Sequence, residues 1–240
     1  MTVTSILALG FVLGMRHALD ADHLAAVATL ATRSRSLGYA VLQGVAWGTG
    51  HTLTLMLVGG AVLVLGLVLP ERAAHALELA VGVLLVALGA DVLYRVWRDR
   101  IHFHAHRHAD GVEHIHAHSH RGESAPHDAA RHEHRHARSL PGRALLVGMV
   151  HGMAGSAALI LLSLEAFGSP AWGVVYIAIF GLGSILGMAV LSAAIAVPLR
   201  LTSRRLTRVY GGLSATIGLA TMLLGGYIVY RIGSVPGPVG

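Results

Sequence analysis

Long apolar stretches, separated by short polar segments, occupy most of the chain. An apolar stretch of about 18 residues or more is typical of a transmembrane helix, because about 20 helical residues cross a hydrocarbon core of about 30 Å. The pattern predicts six transmembrane helices, which cover residues 3–31, 37–69, 73–98, 143–167, 171–198 and 207–231. The first two exceed the length needed, so we expect them to be tilted or broken. Glycines mark where a break costs least, at Gly10, Gly14, Gly44, Gly48 and Gly50.

The composition also favours a chain that lies in lipid. Hydrophobic residues make up 54% of it and charged residues only 12%, and its mean hydropathy is +0.64. Soluble proteins carry about 25% charged residues. The absence of cysteine excludes disulfides, thiolate zinc sites, iron–sulfur clusters and cysteine nucleophiles. The sequence therefore predicts an all-α polytopic membrane protein.

The arginines predict how the chain is oriented. The formal net charge is +6, and all 18 basic residues are arginines. Most of them lie in or beside the loops that follow the first, third and fifth predicted helices. By the positive-inside rule these loops are cytoplasmic, so we expect both termini on the outer side of the cytoplasmic membrane. Arginines placed beside membrane helices also account for the basic pI without a nucleic-acid partner.

The two halves of the chain resemble each other. Three short segments match at nearly equal offsets, namely 14–17 with 148–151, 48–51 with 181–184 and 88–89 with 224–225. Each half holds three predicted helices, and an odd number inverts the second half relative to the first, as in many secondary transporters. We therefore expect two inverted three-helix repeats, over residues 1–100 and 142–240, joined by a loop over residues 101–141.

The first predicted helix contains a polar cluster halfway along its length. Five ionisable side chains lie there within eight residues, and they are Arg16, His17, Asp20, Asp22 and His23. A charge at this depth costs about 3 kcal/mol, so such residues usually have a function. Two carboxylates and two imidazoles suit a divalent ion such as Ni(II), Co(II) or Zn(II). The alternative is that the groups only neutralise one another, as Arg16 and Asp20 would.

Helix geometry limits how these histidines can share an ion. In a straight helix, His17 and His23 are about 120° apart around the axis and about 9 Å apart along it. Either the helix unwinds between them, or the two imidazoles serve successive positions along a path. The second and fourth predicted helices each add one histidine. The predicted intramembrane metal residues are therefore His17, Asp20, Asp22, His23, His51 and His151.

The cluster resembles the signature of nickel/cobalt transporters, which is a histidine, four further residues and then Asp-His. The resemblance implies an integral membrane permease that selects Ni(II) or Co(II) through this helix, with His17, Asp22 and His23 central. Residues 50–52, Gly-His-Thr, are similar to the family's second motif, Gly-His-Ser/Thr. Larger members carry an acidic motif in a later helix, where this chain has His-Gly-Met-Ala-Gly-Ser at residues 151–156. The chain looks like the shorter six-span branch, often named urease-accessory nickel permeases.

Residues 102–136 are rich in histidine, often at alternating positions. We expect this cytoplasmic loop to be disordered, because its other residues cannot form an apolar core. Closely spaced imidazoles bind divalent transition metals, which indicates an accessory metal buffer; the alternative is a polar linker. The histidines predicted to bind metal there are His102, His104, His106, His108, His114, His116, His118, His120, His132, His134 and His136. Whether a cytoplasmic metallochaperone is a partner stays open.

These features favour a permease that performs no covalent chemistry and needs no cofactor. A divalent ion would bind imidazole and carboxylate groups between the repeats and leave on the other side as the two halves rock. Acid should compete with metal, because the ligands must be neutral imidazoles. Uptake is favoured, since the membrane potential contributes about 2.3 kcal/mol per elementary charge per 100 mV. Efflux by proton antiport is the alternative.

Two functions from other classes of membrane protein fit the sequence less well. Membrane-embedded metalloenzymes carry several histidine boxes or a His-Glu-x-x-His helix, and neither pattern occurs in the sequence. A metal-sensing receptor would need a signalling domain, for which the compact chain offers no separate segment. We therefore predict that the protein is not an enzyme, and that its partners are a divalent transition-metal ion and the lipid bilayer.

Overall fold

The computed structural model describes residues 2–32, 34, 36–66, 70–98, 103–107, 113–117, 141–154, 169–205 and 207–234. Nearly all of them are helical. The helices are α1 (Val3–His17), α2 (Ala21–Ala31), α3 (Leu37–Leu65), α4 (Glu71–Arg98), α5 (Gly142–Ala154), α6 (Pro170–Arg205) and α7 (Thr207–Gly233). Two short strands, β1 (Phe103–Arg107) and β2 (Glu113–Ala117), lie between α4 and α5.

Local sequence signals mark several helix ends. The hydroxyl of Thr2 accepts a hydrogen bond from the backbone N–H of Ser5 and caps α1, and Ser36 caps α3 in the same way through Tyr39. At the other end of α3, Gly66 adopts a left-handed conformation with a φ of 64°, which glycine reaches without steric cost. Capped ends satisfy backbone groups that lipid cannot hydrate.

The chain is a multi-pass membrane protein. Four helices are long and apolar enough to cross a bilayer, and they are Leu37–Leu65, Glu71–Arg98, Pro170–Leu201 and Val209–Gly233. Large apolar side chains on their outer faces are exposed, for example Leu57, Val190 and Leu223, as expected of surfaces that contact lipid.

The first predicted span is present as a broken pair. Helices α1 and α2 together are long and apolar enough for one span, but they are bent by 55° at the break between them. The fourth predicted span begins with α5, and its remainder, residues 155–167, lies outside the described residues. The described part of the chain therefore contains four spans, or five with the broken pair.

Glycines allow the closest approaches between helices. Helix α3 packs along both α5 and α6, α1 packs on α6, and α4 packs on α7. A Cβ atom on Gly50 of α3 would collide with the backbone of α5, and one on Gly14 of α1 would collide with the backbone of α6. Small residues at such crossings let helix backbones touch in a membrane. The result is a tight bundle around α3 and α6.

Two segments of the histidine-rich loop lie within the described residues. Strands β1 and β2 pair in antiparallel fashion, with His104 opposite His116 and His106 opposite His114. Both segments alternate in residue type with a period of two, which is typical of strands. The other predicted metal-binding histidines of the loop lie outside the described residues, and they are His102, His108, His118, His120, His132, His134 and His136.

Candidate metal centre

The break between α1 and α2 lies inside the polar cluster. Helix α1 ends at His17, and the backbone N–H groups of Leu19 and Asp20 donate to the carbonyls of Arg16 and His17, at 2.8 and 3.1 Å. The chain then starts again as α2, with Asp20 at its N-cap position. Of the two possibilities that helix geometry left open, the structure has the interrupted helix.

This break brings four imidazoles together. The ring centroids of His17 and His23 are 4.4 Å apart, although a straight helix would separate the two residues by about 9 Å along its axis. His51 of α3 lies 5.2 Å from both rings, and His151 of α5 lies 5.2 Å from His23. His23 therefore contacts each of the other three imidazoles.

Three of these histidines have the spacing of a metal site. Ligand nitrogens of His17, His23 and His51 all lie within 4.8 Å of one another. Two imidazole nitrogens bound to one ion are at most about 4 Å apart, for metal–nitrogen bonds of about 2 Å. A small closure of the rings would therefore place all three nitrogens in one coordination sphere, with His151 next to it.

Five ring nitrogens of these four histidines have no hydrogen-bond partner among the described residues. They are Nε2 of His17, His23 and His151 and both ring nitrogens of His51, and all are shielded from solvent. His23, His51 and His151 are at most 3% exposed. A buried polar atom without a partner costs about 1–3 kcal/mol, so a group of them is stable only if something else compensates. A bound metal ion would use one lone pair from each neutral imidazole.

The remaining ring nitrogens are held by oxygen atoms. Nδ1 of His17 is 2.6 Å from a carboxylate oxygen of Asp20, and Nδ1 of His23 is 2.9 Å from one of Asp22. Nδ1 of His151 donates to the carbonyl of Val147 at 3.1 Å. Such partners fix the orientation and tautomer of metal-binding imidazoles and raise their basicity. The two carboxylates, predicted as metal residues, thus lie behind the imidazoles and orient them.

The alternative of mutual neutralisation had named Arg16 as the partner of Asp20. In the structure the carboxylate of Asp20 pairs with His17 instead, and the Arg16 side chain is exposed. The Asp20 side chain is itself 55% exposed. The centre is therefore open at the edge formed by Asp20 and His17, whereas His23, His51 and His151 are buried.

Aromatic side chains form two walls of the centre. The Trp47 ring is stacked on His23 at 5.4 Å and lies 5.3 Å from His151, and the Phe180 ring lies 5.4 Å from His17. Neither residue is among the predicted metal residues. Trp47 precedes His51 by four residues and so shares its helix face, and Phe180 is offset from Trp47 by 133 residues, the same offset as between residues 48–51 and 181–184. Both signals are present in the sequence.

Comparisons with known proteins agree with a nickel-related function. The model of the NicO family, described as high-affinity nickel-transport protein, matches residues 3–206, which include all four histidines of the centre. The urease accessory protein UreH of Bacillus sp. (strain TB-90) is 32% identical over 237 residues, which cover 97% of this chain and 94% of that protein. No solved structure matches the chain.

Proposed function

The chain belongs to the NicO family of high-affinity nickel-transport proteins, and from this premise we propose that it is a permease whose four-histidine centre carries Ni(II), and also Co(II), across the cytoplasmic membrane. As a member of a transporter family it is a membrane transport protein and not an enzyme. The metal ion is the cargo. The family description favours nickel as the main substrate, and cobalt follows from the same ligand chemistry.

One observation carries this proposal. Ligand nitrogens of His17, His23 and His51 lie within 4.8 Å of one another, and each of these rings and His151 has a buried nitrogen without a partner among the described residues. Carboxylates and a backbone carbonyl hold three of the imidazoles by their other nitrogen. A protein that used these histidines only for packing would gain nothing from leaving their nitrogens unsatisfied. The arrangement suits an ion that loses its water on entry and is then released.

Glycine contacts support the proposal of inverted repeats. A Cβ on Gly14 would meet the carbonyl of Phe180, and one on Gly148 would meet the carbonyl of Trp47. Gly148 and Phe180 are offset from Gly14 and Trp47 by 134 and 133 residues. Exchanging the two halves of the chain therefore turns the first contact into the second. The same exchange turns the contact of Gly183 with Phe11 into that of Gly50 with Leu145. It also turns the contact of Gly89 with Gly218 into that of Gly225 with Gly82.

This exchange also relates whole helices. It converts the packing of α1 on α6 into that of α5 on α3, and it maps the pairs α3–α6 and α4–α7 onto themselves. A two-fold relation of this kind needs three spans in each half, so we infer six spans. The centre would then lie between the repeats, where such transporters bind their substrates.

The proposed orientation places both termini outside and the histidine-rich loop inside, because most arginines flank the loops on that side. There the loop would buffer metal beside the inner end of the path. The proposed direction is uptake, since a divalent cation gains free energy on moving to the negative side. Efflux would require a coupled proton flux.

Nickel flux into proteoliposomes tests the function. We expect the purified protein to move Ni(II), and single changes of His17, His23, His51 or His151 to alanine to abolish this flux while leaving folded protein. His75, in the first turns of α4 and not one of the clustered histidines, provides the matched control, so His75→Ala should retain flux. Full flux in all four centre variants would refute the assignment of the site.

Accumulation of radiolabelled nickel in whole cells tests the direction. Cells that express the protein should accumulate more nickel than vector controls, and the His23→Ala variant should return accumulation to the control level. Lower accumulation than in the controls would establish efflux and overturn uptake, without affecting the assignment of the centre.

A further inference from the structure

Helix α2, which carries His23, is held at its C-terminal end by polar side chains from two other helices. Thr32 is the C-cap residue of α2. Its hydroxyl accepts a hydrogen bond from Arg95 of α4 at 3.3 Å, and its backbone carbonyl accepts one from the Tyr210 hydroxyl of α7 at 2.8 Å. The same Thr32 hydroxyl donates to the carbonyl of Thr29 at 2.7 Å. These contacts join distant parts of the chain at one residue.

Asp91 extends this network to α5. One of its carboxylate oxygens lies 3.3 Å from Nε of Arg95 and 3.9 Å from a terminal nitrogen of Arg143, in the first turn of α5. Helix α5 carries His151, the neighbour of His23 in the centre. We call Thr32, Asp91, Arg95, Arg143 and Tyr210 the α2 clasp. It ties together the ends of two helices that each contribute an imidazole.

The interruption of the first span leaves α2 as a separate short helix. The break at residues 18–20 separates α2 from α1, and the side chain of its N-cap residue Asp20 makes no capping hydrogen bond. His23 lies in the first turn of α2 and contacts the other three imidazoles. A displacement of α2 as a unit would therefore remove one imidazole from three neighbours at once, whereas α1, α3 and α5 could stay in place.

We propose that the clasp positions His23, so that the centre is complete and shut towards the cytoplasm while Thr32 is held, and opens to the cytoplasm when Thr32 is released. Arg95 and Tyr210 act as positioning residues, since both bind Thr32 at the end of α2 opposite to His23. Release would let α2 move away from Trp47 and the other histidines. The proposal rests on the proposed function for the nature of the ion and for the side of the membrane.

A single-cysteine reporter tests this idea directly, because the native chain has no cysteine. Val27 lies on α2 one turn after His23 and is only 2% exposed, so Val27→Cys places one thiol of similar size beside the centre. The full-length protein, in inside-out membrane vesicles, is treated with a membrane-impermeant maleimide at the cytoplasmic face. The change is then combined with Tyr210→Phe, with Arg95→Gln and with Thr32→Val.

With the clasp intact, labelling should be slow. Each of the three clasp changes should speed it severalfold, and bound Ni(II) should slow it again. If a clasp change leaves the complete centre only about a tenth populated, the apparent Kd for Ni(II) rises about tenfold. A chromophoric chelator competing for Ni(II) with the purified protein measures this change. Tyr210→Phe removes one oxygen only, so it keeps the test valid if a larger change impairs folding.

Arg231→Gln is the matched control. Arg231 pairs with Glu78 at 3.6 Å. This pair joins α7 to α4 at the ends of these helices that lie opposite to Tyr210 and Arg95. This control should change neither the labelling rate nor the affinity. Labelling that is equally slow with and without the clasp, at unchanged affinity, would overturn the proposal. Wild-type protein that moves no nickel, yet shows the labelling difference, would instead overturn the proposed function and leave the clasp intact.

Discussion

The carboxylate of Asp22 lies 2.9 Å from Nδ1 of His23, the next residue in the chain. Nδ1–H donates to this carboxylate, so the lone pair of the ring is on Nε2. That atom is buried, has no partner and belongs to the ring that contacts the three other imidazoles. The pair Asp22–His23 therefore presents one nitrogen, in one orientation, to an incoming ion.

Replacing Asp22 by asparagine should weaken Ni(II) binding by about 10–100-fold, as is typical when an outer partner of a metal-binding histidine is lost. The amide can still accept a hydrogen bond but no longer raises the basicity of the imidazole. Equilibrium competition with a chelator measures the change. Glu71→Gln, an equal change at an exposed position in the first turn of α4, should leave the affinity as it was. If both variants bound Ni(II) with equal affinity, Asp22 would have no role in the centre.

The metal-free protein should gain stability when an unsatisfied group of the centre is removed. Both ring nitrogens of His51 are buried without a partner, and such atoms cost about 1–3 kcal/mol each. His51→Leu, of similar volume, should therefore raise the free energy of unfolding in detergent while abolishing Ni(II) binding. Thermal unfolding with and without Ni(II) measures both effects.

Val27→Ala serves as the opposite control, because this buried residue of α2 has only apolar atoms to lose and its truncation should lower stability. A loss of stability in His51→Leu comparable to that in Val27→Ala would show that His51 is an ordinary packing residue. We therefore expect His51 to lower the stability of the metal-free protein while being required for Ni(II) binding, which is typical of binding sites.

The helix crossing between α3 and α5 should be sensitive to one methyl group. A Cβ on Gly148 would collide with the carbonyl of Trp47, whereas one on Gly60, also in a helix, would meet nothing within 4 Å. Gly148→Ala should therefore destabilise the bundle and displace His151, whereas Gly60→Ala should gain up to about 1 kcal/mol of helix propensity. Unfolding temperature and Ni(II) affinity measure the two effects. Equal stabilities would show that the backbones do not touch there.

Most members of the centre could be predicted from sequence, because a histidine in an apolar span is conspicuous. Their arrangement was harder to predict. His17 and His23 share one site only because the helix stops between them, and the signal for that stop is an aspartate at an N-cap position. The signal is ambiguous, since Asp20 gives its carboxylate to His17 rather than to the backbone of α2. A pattern of apolar residues cannot distinguish these two uses.

Other parts of the site depend on contacts between distant helices. Trp47 and Phe180 look like ordinary core residues in the sequence, and only the packing of α3 and α6 brings them against the imidazoles. The hydrogen bond of Tyr210 to the carbonyl of Thr32 joins residues separated by 178 positions. No local periodicity encodes such a pair. The sequence therefore indicates the clustered histidines and the two aspartates beside them, but not the aromatic and polar groups that come from distant helices.

The histidine-rich loop should determine how much metal the protein holds and should not be required for transport. Its two described strands pair with each other, whereas the centre is built from α1, α2, α3 and α5. Replacing the loop histidines by serine, with the length of the loop unchanged, should therefore lower the number of Ni(II) ions bound per chain. The affinity of the tightest site should stay the same, because its ligands lie in the bundle.

The maximal rate of Ni(II) transport should depend on the centre, and the loop should affect the rate only at low Ni(II). At saturating Ni(II) the serine variant should transport at nearly the wild-type rate, since the imidazoles of the bundle are unchanged. At low Ni(II) it should be slower if the loop concentrates ions beside the path, because closely spaced imidazoles bind divalent transition metals. Proteoliposome flux across a range of Ni(II) concentrations separates these effects. A variant without flux even at saturation would show that the loop belongs to the transport path itself.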